Sequence, residues 1–224
     1  MTTAEVRNAP AAPAPPGRSP WRVAAGLRLV WLHLRSRRVP AAVLALVVCG
    51  AVLRAAVRWN WTFNSGPLAQ QVPMIIEAGA AVAVAVTTHS PFGEPERATG
   101  RWLPYLRLGA ALALTGLAIG ALQLAVTGAS LNGGVLQLAR NVIGITGIGL
   151  LCSLVTGGLL AWILPMAYTA FAEYALLEFW RNPWTWPVRP PEDRGAWICA
   201  VAVFAMGLLA FTVRGARVRL ADNG

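Results

Sequence analysis

A chain of 224 residues that is 56% hydrophobic, 12% charged and has a mean hydropathy of +0.55 holds too little polar side-chain material to coat a compact globule. Its excess apolar surface belongs against lipid, which excludes an ordinary soluble domain. The net charge of +10 is carried by arginine alone, with no lysine, and the arginines flank hydrophobic segments. There they set topology and meet lipid headgroups, a pattern that argues against nucleic-acid binding.

Residues 1–20 contain Pro10, Pro13, Pro15, Pro16 and Pro20 among alanines, so a disordered cytoplasmic tail is predicted. From 21 to 38, Val23, Leu27, Val30 and Leu34 recur at helical spacing while Arg22, Arg28, Arg35 and Arg37 fall off that stripe. This predicts an amphipathic membrane-surface helix. Trp21 and Trp31 suit the headgroup boundary, where arginine stems lie on apolar surface and their heads reach phosphate. A groove on a soluble partner is the alternative occupant of the same stripe.

Beyond it the expected fold class is all-α and polytopic, a transmembrane domain over 39–219 followed by a cytoplasmic tail at 220–224. Six spans are predicted, at about 40–57, 72–88, 103–127, 139–157, 159–178 and 196–213. Pro40 is tolerated in the first turn of span one, and the absence of a small-residue cleavage site after this run reads as an uncleaved anchor. The apolar stretch from Val135 to Leu177 is about twice what one crossing needs. It must reverse, and Gly157 and Gly158 mark the place.

Orientation follows from the arginines that flank the spans. Arg18, Arg22, Arg28, Arg35, Arg37 and Arg38 precede span one, and Arg214, Arg217 and Arg219 follow span six, so both termini are expected in the cytoplasm. The 90–101 loop, with Arg97 and Arg101, then falls inside. The 180–195 loop falls outside and partly opposes the rule through Arg181, Arg189 and Arg194; a re-entrant arrangement of this Pro- and Trp-rich segment is the alternative.

The sequence gives no sign of a catalytic, cofactor or metal site. His33 and His89 have no nucleophile beside them, Ser153 lacks a GxSxG context, and there is no HExxH, acidic ligand cluster or phosphate loop. Cys49, Cys152 and Cys199 each sit inside an apolar run and read as packing residues.

Charge within the spans is the remaining signal, since it persists there only with compensation. Glu77 in span two is expected to meet Arg54 or Arg58 near the outer end of span one, either as an ion pair that fixes helix packing or as part of a substrate or ion path. Arg140 is expected to approach Glu173 and Glu178 at the outer end of span five. Gly109, Gly116 and Gly120 in span three, and Gly144, Gly147, Gly149 and Gly157 in span four, are expected to form helix-contact surfaces, either within the chain or across a dimer.

Five segments together resemble a known family: Arg-Ser-Arg-Arg-Val-Pro at 35–40, Ser-Pro-Phe-Gly-Glu at 90–94 with Arg-Trp-Leu-Pro-Tyr-Leu-Arg at 101–107, Arg-Asn-Val-Ile-Gly at 140–144, Leu-Ala-Trp-Ile-Leu-Pro at 160–165 and Trp-Thr-Trp-Pro-Val-Arg-Pro at 184–190. The chain resembles the short six-span permease subunits of ABC-2 type transporters from actinobacteria over most of residues 21–219. The resemblance implies a half-transporter of the bacterial plasma membrane that pairs with a second permease subunit, as a homo- or heterodimer. It also implies a separate ABC ATPase subunit as the motor and, in most cases, export. A hydrophobic or amphipathic cargo is expected from the apolar interior.

On the same resemblance Arg22, Arg28, Trp31 and Arg35 belong to the surface helix that contacts the ATPase. Pro91, Phe92, Gly93, Glu94, Glu96 and Arg97 form the coupling loop, for which an ordinary solvated connector is the alternative. Trp184 and Trp186, in the 179–195 segment, belong to an outer gate. The competing functional class is a non-transporting membrane scaffold, immunity or regulatory subunit.

Overall fold

The computed structural model describes residues 39–59, 68–87, 103–128, 133–178 and 182–214. Six α-helices occupy these: α1 Val39–Arg58, α2 Leu68–Val86, α3 Leu103–Ala125, α4 Gly134–Thr156, α5 Ile163–Leu177 and α6 Arg194–Arg214. Two 3-10 turns, Gly158–Leu160 and Trp186–Val188, complete the regular structure, and no strand occurs among the described residues. The predicted surface helix, with Arg22, Arg28, Trp31 and Arg35, and the predicted coupling loop, with Pro91, Phe92, Gly93, Glu94, Glu96 and Arg97, lie outside the described residues, as do both tails.

Four helices are long and apolar enough to cross a membrane: Val39–Arg58, Arg107–Ala125, Gly134–Thr156 and Arg194–Arg214. The other two predicted spans are also helical, but their apolar stretches, Gln70–Val86 and Ile163–Leu177, are shorter. α5 begins four residues later than expected because Gly158–Leu160 winds as a 3-10 turn before it. The reversal itself falls at the expected place. Gly157 ends α4 at φ 87°, a left-handed conformation that glycine adopts without the Cβ penalty, and its N–H still bonds to the Ser153 carbonyl at 3.1 Å.

α4 is the central helix. It packs against α2, α3, α5 and α6, and 67% of its apolar window is buried, against 28% for α1 and α6. Its glycines are the reason it can be approached so closely. A Cβ at Gly147 would lie 2.5 Å from the Phe204 Cα, and one at Gly207 would lie 2.5 Å from the Gly147 carbonyl oxygen, so α4 and α6 meet backbone to backbone. Gly149 receives the Ala85 side chain of α2 in the same way. The α3 glycines behave differently: among the described residues nothing lies within 4 Å of a Cβ at Gly109, Gly116 or Gly120.

Leu46, Leu53, Val84, Leu114, Leu122, Leu138 and Val142 form the main apolar cluster between α1, α2, α3 and α4. The outer surface is equally apolar, with Leu44 and Val48 on α1, Leu117 and Leu124 on α3, and Ile198, Leu209 and Val213 on α6 all exposed. Such continuous exposed apolar faces suit lipid rather than water. The polar side chains of α4 are instead turned inward: Gln137, Arg140, Asn141, Thr146 and Ser153 are buried.

Candidate functional site

The segment between α5 and α6 contains Pro183, Pro187, Pro190 and Pro191, none of which has an N–H to donate, so it holds fewer backbone donors than carbonyls. It folds into the bundle. Thr185, Trp186 and Pro187 are buried, and Trp186 is 2% exposed. The Trp186 indole lies over Gly144, near the middle of α4, where a Cβ would come within 2.7 Å of the ring. Its other neighbours are Ala196 and Ala200 of α6 and the Tyr168 ring of α5, stacked at 4.6 Å and 30°. The Tyr168 hydroxyl donates to the Trp184 carbonyl at 2.7 Å. The backbone here is irregular and buried among helices.

Three side chains supply the missing donors. Arg140 Nη1 donates to the Pro190 carbonyl at 2.7 Å, and its Nη2 donates to the carbonyls of Trp186 at 2.6 Å and Arg189 at 2.8 Å. Gln137 Nε2, one turn earlier on α4, donates to the Pro187 carbonyl at 2.7 Å, and Gln70 Nε2 of α2 donates to the same oxygen at 3.1 Å. Arginine suits its role because a planar fork spans several acceptors, which an ammonium group does not.

Deeper on α2, the Glu77 carboxylate is 4% exposed and accepts from Asn141 Nδ2 at 2.7 Å. Glu77 and Asn141 line a cavity of about 10 Å³ together with Gln70, Pro73, Met74, Gly134, Gln137 and Leu138. This is near the lower limit for one water-sized occupant. The Asn141 Oδ1 atom, Arg140 Nε and Trp186 Nε1 are buried and have no hydrogen-bond partner among the described residues. Each such orphan in a low-dielectric interior costs about 1–3 kcal/mol.

The far end of the loop is tied to the start of α6. Asp193 Oδ1 caps the helix by accepting from the Ala196 N–H at 2.7 Å, its Oδ2 pairs with the Arg189 guanidinium, and Trp197 Nε1 donates to the Pro191 carbonyl at 2.9 Å. The Ala196 N–H and then Arg189 hold the Asp193 carboxyl below the usual aspartate range.

Several expected pairings are replaced. Glu77 meets Asn141 rather than Arg54 or Arg58. Arg54 donates through Nη1 to the carbonyls of Ala125 at 3.1 Å and Thr127 at 2.6 Å, closing the C-terminal end of α3, and Arg58 is exposed at the last residue of α1. Arg140 turns to the loop carbonyls rather than to Glu173 or Glu178; Glu173 is half-buried with Oε1 unpartnered, and Glu178 is exposed. The two expected gate tryptophans separate, Trp186 into the interior and Trp184 at the surface, 55% exposed.

Gln70, Gln137, Asn141 and Tyr168 were not singled out from the sequence. A signal was present for two of them: Gln137 and Asn141 are amides at i, i+4 within an apolar run, which puts them on one face of α4 beside Arg140. Among the described residues no group of three or more His, Cys, Asp or Glu is placed to hold a metal ion. Comparison with protein-family models, with curated proteins and with solved structures finds no match.

Proposed function

We propose that this chain is a permease subunit: a six-crossing membrane half-transporter, driven by a separate ATPase subunit, in which the 182–193 segment closes the outer end of a path along the bundle. The observation that carries this reading is the buried loop itself. Irregular backbone at membrane depth is tolerated only where protein covers it or where it lines a cavity, and Trp186 and Pro187 are covered by protein. A helix bundle that served only as an anchor has no need of such a segment, whereas a transporter needs an element able to withdraw. The resemblance of residues 21–219 to short ABC-2 permeases supports an exporter of a hydrophobic or amphipathic compound in a bacterial plasma membrane, working with a second permease subunit. The sequence carries no phosphate-binding loop of its own, so the motor belongs to a partner.

A second reading, a non-transporting scaffold or regulatory subunit, draws on the same fork of Arg140, since three bonds to the loop also describe a fixed lid.

Affinity purification of the full chain in mild detergent, followed by ATPase assay with and without Phe92→Ala and Glu94→Ala, separates the two. The permease reading expects a co-purifying ATPase whose activity is lost or uncoupled by those changes. An intact bundle that brings down no ATPase favours the scaffold.

A further inference from the structure

The structure assigns a sodium-sized monovalent cation to the cavity between α2 and α4, bound by the Glu77 carboxylate and the amide oxygens of Asn141, Gln137 and Gln70. Gln70 and Gln137 both direct Nε2 to the Pro187 carbonyl, and Asn141 directs Nδ2 to Glu77, so each amide has a donor engaged and its nitrogen end fixed. The amide oxygens of these cavity-lining side chains are their acceptors. Asn141 is 2% exposed and its Oδ1 has no partner. A buried acceptor in this position calls for a donor or a cation.

A carboxylate with neutral carbonyl-type oxygens is the donor set that hard cations take. Glu77 is the one carboxylate lining the cavity, so a single positive charge is the most its side chains can balance in a low-dielectric interior. Arg140, next to Asn141 on α4, is the charged group that bears on Glu77, and its own guanidinium is turned to the loop carbonyls of Trp186, Arg189 and Pro190. Size points the same way, because about 10 Å³ admits one water-sized particle and no organic ligand. Since Gln70 and Gln137 touch both the cavity and the Pro187 carbonyl, occupation of the cavity fixes the two amides that hold the loop, and the ion is thereby coupled to loop position.

This inference does not rest on an ATPase partner and is tested without one. The purified full chain in nanodiscs is titrated with radiolabelled sodium in a scintillation proximity assay, against protein-free nanodiscs and with unlabelled sodium or N-methylglucamine as competitor at constant ionic strength. Saturable binding, displaced by sodium and not by N-methylglucamine, is expected. Glu77→Gln, which keeps shape and removes the charge, weakens it by at least about tenfold, and Gln70→Leu, at the edge of the site, weakens it by less. The wild-type protein alone is decisive should Glu77→Gln fail to fold. Absence of saturable binding, equal displacement by N-methylglucamine, or unchanged affinity in folded Glu77→Gln overturns the assignment and leaves the cavity to water.

Discussion

Arg140 Nη2 donates to the carbonyl of Trp186 at 2.6 Å, joining the central helix to the deepest point of the loop between α5 and α6. The contact is side chain to backbone, so it holds the loop whatever side chains the loop carries. Arg140→Met removes three charged donations at once, each worth about 1.5–3 kcal/mol, although the Trp186 and Pro190 carbonyls keep the loop N–H groups of Arg189 and Asp193. Arg140→Lys keeps the charge but not the fork, so it is expected to fall between Met and wild type. The readout is maleimide labelling of Thr185→Cys, a fully buried position, in a background with Cys49, Cys152 and Cys199 replaced by alanine. Labelling accelerates at least about tenfold in Arg140→Met if the fork holds the loop in place, that being the effect of about 1.4 kcal/mol. Equal labelling rates in the three proteins would show that the loop is held by the Trp186 packing alone.

The glycines of α3 and α4 are expected to respond in opposite ways to alanine. Gly147→Ala drives a methyl group into the α6 backbone at Phe204, so α4 and α6 must separate, and overpacking of this kind costs about 1–3 kcal/mol. Gly116→Ala meets open space, and the intrinsic helix preference for alanine makes it neutral or mildly stabilising, by up to about 1 kcal/mol. Thermal unfolding in detergent, followed by helical circular dichroism, compares the two. A loss for Gly116→Ala equal to that for Gly147→Ala contradicts the α3 packing described above.

How much of this could be read from the sequence follows the type of partner each residue found. Helices were legible because lipid imposes a length and an apolar character that show as runs, and the Gly157 reversal was legible because a run twice too long must turn where glycine allows. Partnerships were not. Arg54, Arg140, Gln70 and Gln137 all bond to backbone carbonyls, and a carbonyl has no sequence signature, so pairing by opposite charge sent Arg54 to Glu77 and Arg140 to Glu173. Glu77 finds a neutral amide rather than a cation, a partner that charge matching does not seek. The α3 and α4 glycines have the same spacing logic in sequence, and only the arrangement of helices decides that α4 is enclosed while α3 faces outward.

Acid should act at the junction of the loop with α6. The Asp193 carboxyl is held below the ordinary aspartate value near pH 3.9 by the Ala196 N–H and by Arg189. A depressed folded-state value contributes stability that is fully present above the unfolded value and is lost as pH falls through the folded one. The wild-type unfolding midpoint is therefore expected to carry an Asp193 contribution that is constant above about pH 5 and declines below about pH 4. Asp193→Asn abolishes that part of the decline, and Arg189→Met reduces it. Parallel acid profiles for wild type and Asp193→Asn would remove Asp193 from the account.

The Pro187 carbonyl accepts from Gln137 at 2.7 Å and from Gln70 at 3.1 Å, so two helices share one acceptor. Either donor alone is enough to satisfy a buried carbonyl, and its two lone pairs accommodate both. Gln70→Leu and Gln137→Leu are each expected to cost about 0.5–1.5 kcal/mol, the net worth of one neutral hydrogen bond. The double variant leaves the oxygen with no donor and adds its desolvation penalty, so the losses exceed their sum by about 1 kcal/mol or more. Reversible unfolding of the four proteins in mixed micelles measures the coupling. Strict additivity would mean that water reaches Pro187 from the cavity side, and the two glutamines would then be independent lining residues rather than a shared clamp on the loop.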